Sequence, residues 1–313
     1  MRPSRAIQNR ISQKRIFKER IFMDLKSFAD EIEKQKLNVE GIIVYQRGRE
    51  LACHRWVPEH RRNIFSVSKN FCSIAVGMAV EEGKLRLSDR VTRALPRQSP
   101  SDPIQAGRWE ALTLEHLLTM TMGHAEFTRP RSVEEAFSYE LIRDPGSRFL
   151  YDNTCTFLAS AMFTKVTGQK MRDYLLDRLF RPLGIADPEW LESDDGYTIA
   201  ATGLSLATSE LALFGRFLLQ RGNWEGRQLV SAAWIDRATR TQVSTRAGNP
   251  DYDVGYGYQF WICRYGAYRC DGKDGQYVII FPGLEAVVTI NANQEKNAES
   301  ILRAVWDCIL PQL

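Results

Sequence analysis

Ser66 and Lys69 are the residues whose types and spacing most directly suggest chemistry. A serine hydroxyl is a weak nucleophile until something takes its proton. Residues three apart share one face of a helix, so a lysine at that spacing can reach a serine hydroxyl. The run Asn63–Met78 reads as an extended lead-in that turns into an apolar helix, with Ser66 at its start and Lys69 one turn on. Backbone N–H groups at a helix start also point outward, ready to hold a developing negative charge. A serine three residues before a lysine arises by chance about once in a chain of 313 residues. The pair therefore needs company, although Ser66 is the only serine in this chain so placed.

Two later segments supply that company. Tyr151-Asp152-Asn153 follows a turn at Pro145-Gly146-Ser147 and precedes an apolar helical run. Asp271-Gly272-Lys273-Asp274-Gly275-Gln276 leads into the strand-like run Tyr277–Phe281. Tyr151 could be a half-buried tyrosine after a turn, and Asn153 could be an N-cap, because apolar helical sequence begins directly after it.

The elements that must position these residues fall into three stretches. Residues 24–36 read as a helix, and Val39–Tyr45 and Glu50–Trp56 as a hairpin turning at Gln46-Arg47-Gly48-Arg49. The middle of the chain is helical: 114–120, 133–142, 154–167, 171–180, 209–221 and 232–240, with 88–112 irregular and containing proline. Beyond Gly255 the composition turns to strands at Tyr256–Cys263, Tyr268–Asp271, Gln276–Phe281 and Ala286–Asn291, then a last helix at Ala298–Leu310. Strands at both ends with helices between imply an α+β fold: one antiparallel sheet built from the two termini, flanked by terminal helices, plus a helical lobe. Residues 23–95 and 241–313 would form the α/β lobe and 96–240 the helical lobe.

Composition bounds the rest. The chain is 44% hydrophobic and 26% charged, ordinary for a globular protein. Its net charge of +4 is carried by residues 1–22, which hold seven Lys/Arg against Glu19. That basic segment reads as a disordered extension ahead of Met23; the remainder is slightly acidic and gives no reason to expect a nucleic-acid partner. Six scattered cysteines show neither a C-x-x-C pair nor metal-ligand spacing, and there is no apolar run of 18 residues. A reducing cytoplasm is the simplest compartment, with no membrane span, no metal and no cofactor expected.

Serine-x-x-lysine, then tyrosine-x-asparagine, then a glycine-containing strand near the C-terminus resembles, in that order, the serine β-lactamase and penicillin-binding-protein superfamily. The likeness spans roughly residues 40–295 and is greatest to the class C branch and its related esterases and amide hydrolases. It implies Ser66 as the nucleophile of an acyl-enzyme. Lys69 would act either as the base that takes the serine proton or as a cation that favours a Tyr151 phenolate. Tyr151 would lie opposite the serine and relay protons to the leaving group. Asn153 would contact substrate and hold Lys69. The backbone N–H groups of Ser66 and of Lys273, in the third motif, would form the oxyanion site, with Asp271, Gly272 and Lys273 lining the substrate.

The third motif departs from that pattern. Where relatives carry Lys-Thr-Gly or His-x-Gly, this chain reads Cys270-Asp271-Gly272. The cation that would grip a β-lactam carboxylate is replaced by an acid, with Lys273 as a displaced charge. The expectation is a serine hydrolase of carboxylic esters or small amides. The alternatives are a β-lactamase or D-Ala-type peptidase, and a non-catalytic binding or scaffold homologue. No Gly-x-Ser-x-Gly, no His-Glu-x-x-His and no phosphate loop is present. His54, His60, His116 and His124 read as surface or structural, and Lys165-Val166-Thr167-Gly168 as a helix end.

Overall fold

The structure, a computed structural model, describes residues 23–97, 100–246 and 248–313; the basic segment 1–22 lies outside them. The N-terminal hairpin forms as the sequence suggests. Strands β1 (Val39–Gln46) and β2 (Arg49–Arg55) are joined by Arg47 and Gly48, with φ of 48° and 73°. Positive φ at both central residues matches the right-handed twist of the flanking strands.

The strand-rich C-terminal third supplies β3 (Gly255–Tyr256), β4 (Trp261–Ile262), β5 (Tyr268–Gly272), β6 (Gln276–Phe281) and β7 (Ala286–Ala292). Together they make a seven-stranded sheet in the order β2-β1-β7-β6-β5-β4-β3, and every neighbouring pair is antiparallel. The chain's two ends meet inside the sheet, at its second and third strands, where Ile42 of β1 pairs with Ile290 of β7. The sequence reads as a single strand over Tyr256–Cys263. The chain instead doubles back there, with Gln259 at φ 68°. Gly257 sits so close to the end of the Ala232–Ala238 helix that a Cβ would stand 2.0 Å from the Ala238 carbonyl oxygen.

Both sheet faces are covered. One packs Val44, Tyr277, Ile279, Val288 and Ile290 against helix α1 (Lys26–Lys34) and the C-terminal Glu299–Ala304 helix, through Phe28, Ile301 and Trp306. Val278, Ile280 and Val287 face the helical body. Helix α4 (Thr208–Leu219) lies against this inner face at Gly215, where an added Cβ would come 2.6 Å from Val287 and 2.7 Å from Val278.

Helix α2 (Ser68–Glu81) runs through the middle of the core, buried from Ser68 to Ala79. Its apolar residues fall on all sides, as a helix surrounded by protein requires. Phe71 stacks on Phe214 of α4 at 3.9 Å between ring centroids. Helix α3 (Asn153–Thr167) packs beside α2 and ends at Gly168, φ 72°, the left-handed cap read from the sequence. The 88–112 stretch is less irregular than expected. Pro103 opens a helix that runs to Ala111, and the Asp102 carboxylate accepts the Ile104 N–H at 2.9 Å. Proline at a first helical position sacrifices no hydrogen bond, so it started this helix rather than preventing it. Among the described residues, no helix is long and apolar enough to cross a membrane.

Candidate active site

Ser66 lies two residues ahead of α2 rather than in its first turn. It lies in a short 3-10 turn, Phe65–Val67, that leads into α2. Phe65 takes a φ of 47°, unusual for an aromatic residue. Asn63 holds it there, because its side-chain oxygen accepts the Phe65 N–H at 2.8 Å and the Gly203 N–H at 3.1 Å. That clamp ties the Ser66 turn to the loop preceding α4. Nothing in the sequence marks Asn63 apart from its neighbours.

Lys69 is buried, 1% exposed, and its ammonium donates to three acceptors. These are Ser66 Oγ at 3.0 Å, Asn153 Oδ1 at 2.6 Å and the Ala201 carbonyl at 2.8 Å. Burial disfavours its charge and lowers its pKa from 10.5 to about 7, while the Asp152 carboxylate opposes that fall. The Ala201 carbonyl belongs to a loop more than a hundred residues away, a partner that no local pattern could announce.

Tyr151 comes to the other side of the serine. Its ring stacks on Trp261 at 5.6 Å, and the Lys69 nitrogen lies 4.9 Å from its centroid. Burial drives the phenol's pKa well above the ordinary range, while a hydrogen bond with the Ser66 hydroxyl pulls the other way. Burial thus favours the neutral form of both the phenol and the lysine amine.

Asn153 is not the helix cap. Asp152 takes that place, accepting the Thr154 N–H at 3.1 Å, which leaves the Asn153 side chain free to meet Lys69. Asp152 is itself wholly buried and faces His124, with Nδ1 2.5 Å from Oδ2. Read from sequence, His124 has no partner; the fold supplies one 28 residues later.

The third segment forms the opposite wall. At Gly272, the last residue of β5, a Cβ would stand 2.5 Å from the Ile64 carbonyl oxygen. Only glycine allows the strand this close to the Ser66 turn. Asp271 and Lys273 both line the cleft, since Lys273 lies beyond the strand and escapes its alternation. The Asp271 carboxylate accepts the buried Arg269 Nε at 2.8 Å and the Tyr252 hydroxyl at 3.1 Å. Its charge is thus answered from within the protein. Lys273 is exposed, 3.6 Å from the Asp274 carboxylate.

The cleft has a volume of about 500 Å³. Phe65, Phe127, Tyr151, Tyr252 and Trp261 give it aromatic walls, with Arg129 at its rim. Among the described residues, no cluster of His, Cys, Asp and Glu could hold a metal ion. A serine hydroxyl, a buried amine, a phenol and an amide therefore converge from two distant segments onto one aromatic cleft, with the third segment as its opposite wall.

Comparison with known proteins gives the family of the chain. The chain is 32% identical over 127 residues to a β-lactamase of Escherichia coli, covering 38% of this chain and 32% of that protein. It is 24% identical over 200 residues to a 6-aminohexanoate-dimer hydrolase of Paenarthrobacter ureafaciens, 58% of this chain and 51% of the relative. A lovastatin esterase of Penicillium rubens is 28% identical over 156 residues, 40% and 38% of the two chains. The chain thus spans about a third to a half of the length of these curated relatives. Among solved structures, an octameric penicillin-binding protein homologue from Pyrococcus abyssi superposes with a TM-score of 0.71 at 19% identity, over 91% of this chain and 77% of that one. The β-lactamase family profile matches residues 29–306, nearly the whole of the described fold, and the chain belongs to the β-lactamase family.

Proposed function

We propose that this protein is a serine hydrolase that cleaves carboxylic esters or small amides through an acyl-enzyme on Ser66. The observation that carries this reading is the hydrogen bonding of Lys69. Its ammonium has three N–H groups for three acceptors; the neutral amine has two and a lone pair. The Asn153 and Ala201 oxygens can only accept, so they keep the two remaining N–H groups. The lone pair is left for Ser66, the one partner with a proton to give.

The steps follow from that geometry. Ser66 Oγ attacks the carbonyl carbon as its proton passes to the Lys69 nitrogen. The backbone N–H groups of Ser66 and Lys273 stabilise the resulting oxyanion, brought together by the close approach at Gly272; one such donor is typically worth about 3 kcal/mol. As the tetrahedral intermediate collapses, the leaving group takes the Tyr151 phenol proton, and the phenol is resupplied from the lysine. Water then attacks the ester with the same groups in reverse order. Asn153 holds Lys69 and offers its amide to the substrate.

The relatives named for ester and amide substrates agree with this choice. The β-lactamase relative raises β-lactams as a second substrate class, as for a D-Ala-type peptidase. Asp271 argues against it, because the wall that would meet the β-lactam carboxylate presents an acid already engaged with Arg269 and Tyr252. A binding or scaffold role would leave the Lys69 arrangement without purpose. Short-chain nitrophenyl esters, aminoacyl anilides and a chromogenic cephalosporin, tested on wild type and Ser66→Ala, decide among the three. Ester or anilide turnover lost in Ser66→Ala is expected. Faster cephalosporin turnover would establish the lactamase reading, and no turnover of any substrate the binding role.

A further inference from the structure

We infer that the buried Asp152–His124 pair is a positioning device that supplies the counter-charge for Lys69 and braces the two site residues flanking Asp152 in sequence. Asp152 lies between Tyr151 and Asn153, so whatever fixes its carboxylate fixes the backbone that carries both. Four donors fix it. His124 Nδ1 meets Oδ2; the Thr128 N–H and the Thr154 N–H reach Oδ1 at 2.9 and 3.1 Å, and the Thr128 hydroxyl donates to Oδ1 at 2.8 Å.

This degree of satisfaction is what a buried carboxylate requires if it is to stay ionised. The His124 ring is held edge-on to Tyr139 at 5.6 Å, and among the described residues its Nε2 is buried without a partner. A neutral imidazole donating Nδ1–H leaves only a lone pair at that buried nitrogen; an imidazolium would bury an unanswered N–H there. The pair as a whole is then an anion.

Asp152 adjoins Asn153, whose side-chain oxygen accepts a Lys69 N–H at 2.6 Å, so the pair lies beside the amine that the proposed mechanism uses, and the inference rests on that reading of Lys69. The ionisable groups acting on Lys69 are Asp152, Cys155 and Cys72, with Arg129 across the cleft; the Tyr151 ring and Asn153 complete its surroundings. Asp152 is the foremost of them opposing the effect of burial. Tyr139 and Cys155 are the other ionisable groups that feel its charge. Without Asp152 the amine would lose its proton at lower pH, becoming a weaker base that is available over a wider range. The pair thus sets the strength of the base against its availability, without touching substrate.

The test is the pH profile of kcat/KM on a nitrophenyl ester for wild type, Asp152→Asn, Asp152→Ser, His124→Leu and His124→Gln. Both Asp152 variants retain an oxygen able to cap α3. Wild type should show an acid limb near pH 7. The Asp152 variants should lower its midpoint by about one unit and reduce the plateau, so that activity at pH 6 relative to the plateau rises roughly fivefold. His124→Leu, which strips the carboxylate of one donor, should shift the limb the same way by less. His124→Gln, which restores an N–H donor, should return it towards wild type. A wild-type limb that folded Asp152 variants leave in place, or that His124→Leu leaves in place if those variants do not fold, would overturn this inference alone. A wild-type profile flat from acid to alkaline pH would overturn the assignment of Lys69 and this inference with it.

Discussion

Replacing Lys69 by methionine should change how stability depends on pH, by an amount that follows from its environment. The side chain is buried and its pKa is lowered from 10.5 to about 7, burial being the main cause. Below pH 7 both folded and unfolded chains carry the proton. Between pH 7 and 9 the folded chain releases it, while the unfolded chain, with an ordinary lysine, retains it. The unfolded state then binds more protons, so stability rises with pH across this window. Integrating between those limits gives wild type a gain of about 2 kcal/mol over Lys69→Met. The three hydrogen bonds lost in Lys69→Met add an offset that does not vary with pH, and other titrating groups largely cancel in the difference. Urea unfolding of both proteins at pH 6, 7, 8 and 9 measures it. A difference that stays constant across the series would refute the reasoning, because a lysine that does not release its proton near neutrality cannot receive one from Ser66. The acid limb of kcat/KM should share the same midpoint.

Three further outcomes follow from the site's geometry. Tyr151→Phe keeps the stack on Trp261 but removes the relay hydroxyl; kcat for esters should fall about 100-fold or more with KM little changed, which steady-state kinetics reads. Gly272→Ala forces a methyl group against the Ile64 carbonyl; it should cost about 1–3 kcal/mol in urea unfolding and depress kcat as the strand moves away from Ser66. Asp271→Asn leaves the buried Arg269 guanidinium without its carboxylate; thermal and urea unfolding should show a loss of about 3 kcal/mol, whatever happens to activity.

Much of this arrangement is readable along the chain because it is local or ordered. Three residues separate Ser66 from Lys69, and that spacing needs only a helical turn. The sheet is readable because its strands alternate or run apolar between turn residues, as at Arg47-Gly48 and Pro282-Gly283. What escapes is tertiary. The Ala201 carbonyl that accepts a hydrogen bond from Lys69 carries no side-chain signature, and His124 acquires a partner only when the fold brings it onto Asp152. Asn153 is open to two readings because adjacent polar residues compete for a helix cap, and Asp152 takes it. The break in Tyr256–Cys263 escapes because a two-residue strand has no periodicity to read, and Gly257 is placed by contact with a distant helix. That burial favours the neutral Tyr151 phenol is likewise not written in a motif.

The pairing of β1 with β7 has a consequence for how the protein is made. Ser66 and Lys69 leave the ribosome early, but the strand beside β1 and the wall at Gly272 belong to the last fifth of the chain. A nascent chain therefore carries Ser66 and Lys69 for most of synthesis without the strand and wall that complete the cleft. Meanwhile the open edge of β1 needs shelter from other chains. Closure of the sheet across about 250 residues is a long-range pairing of the kind that slows folding, and the same closure completes the cleft.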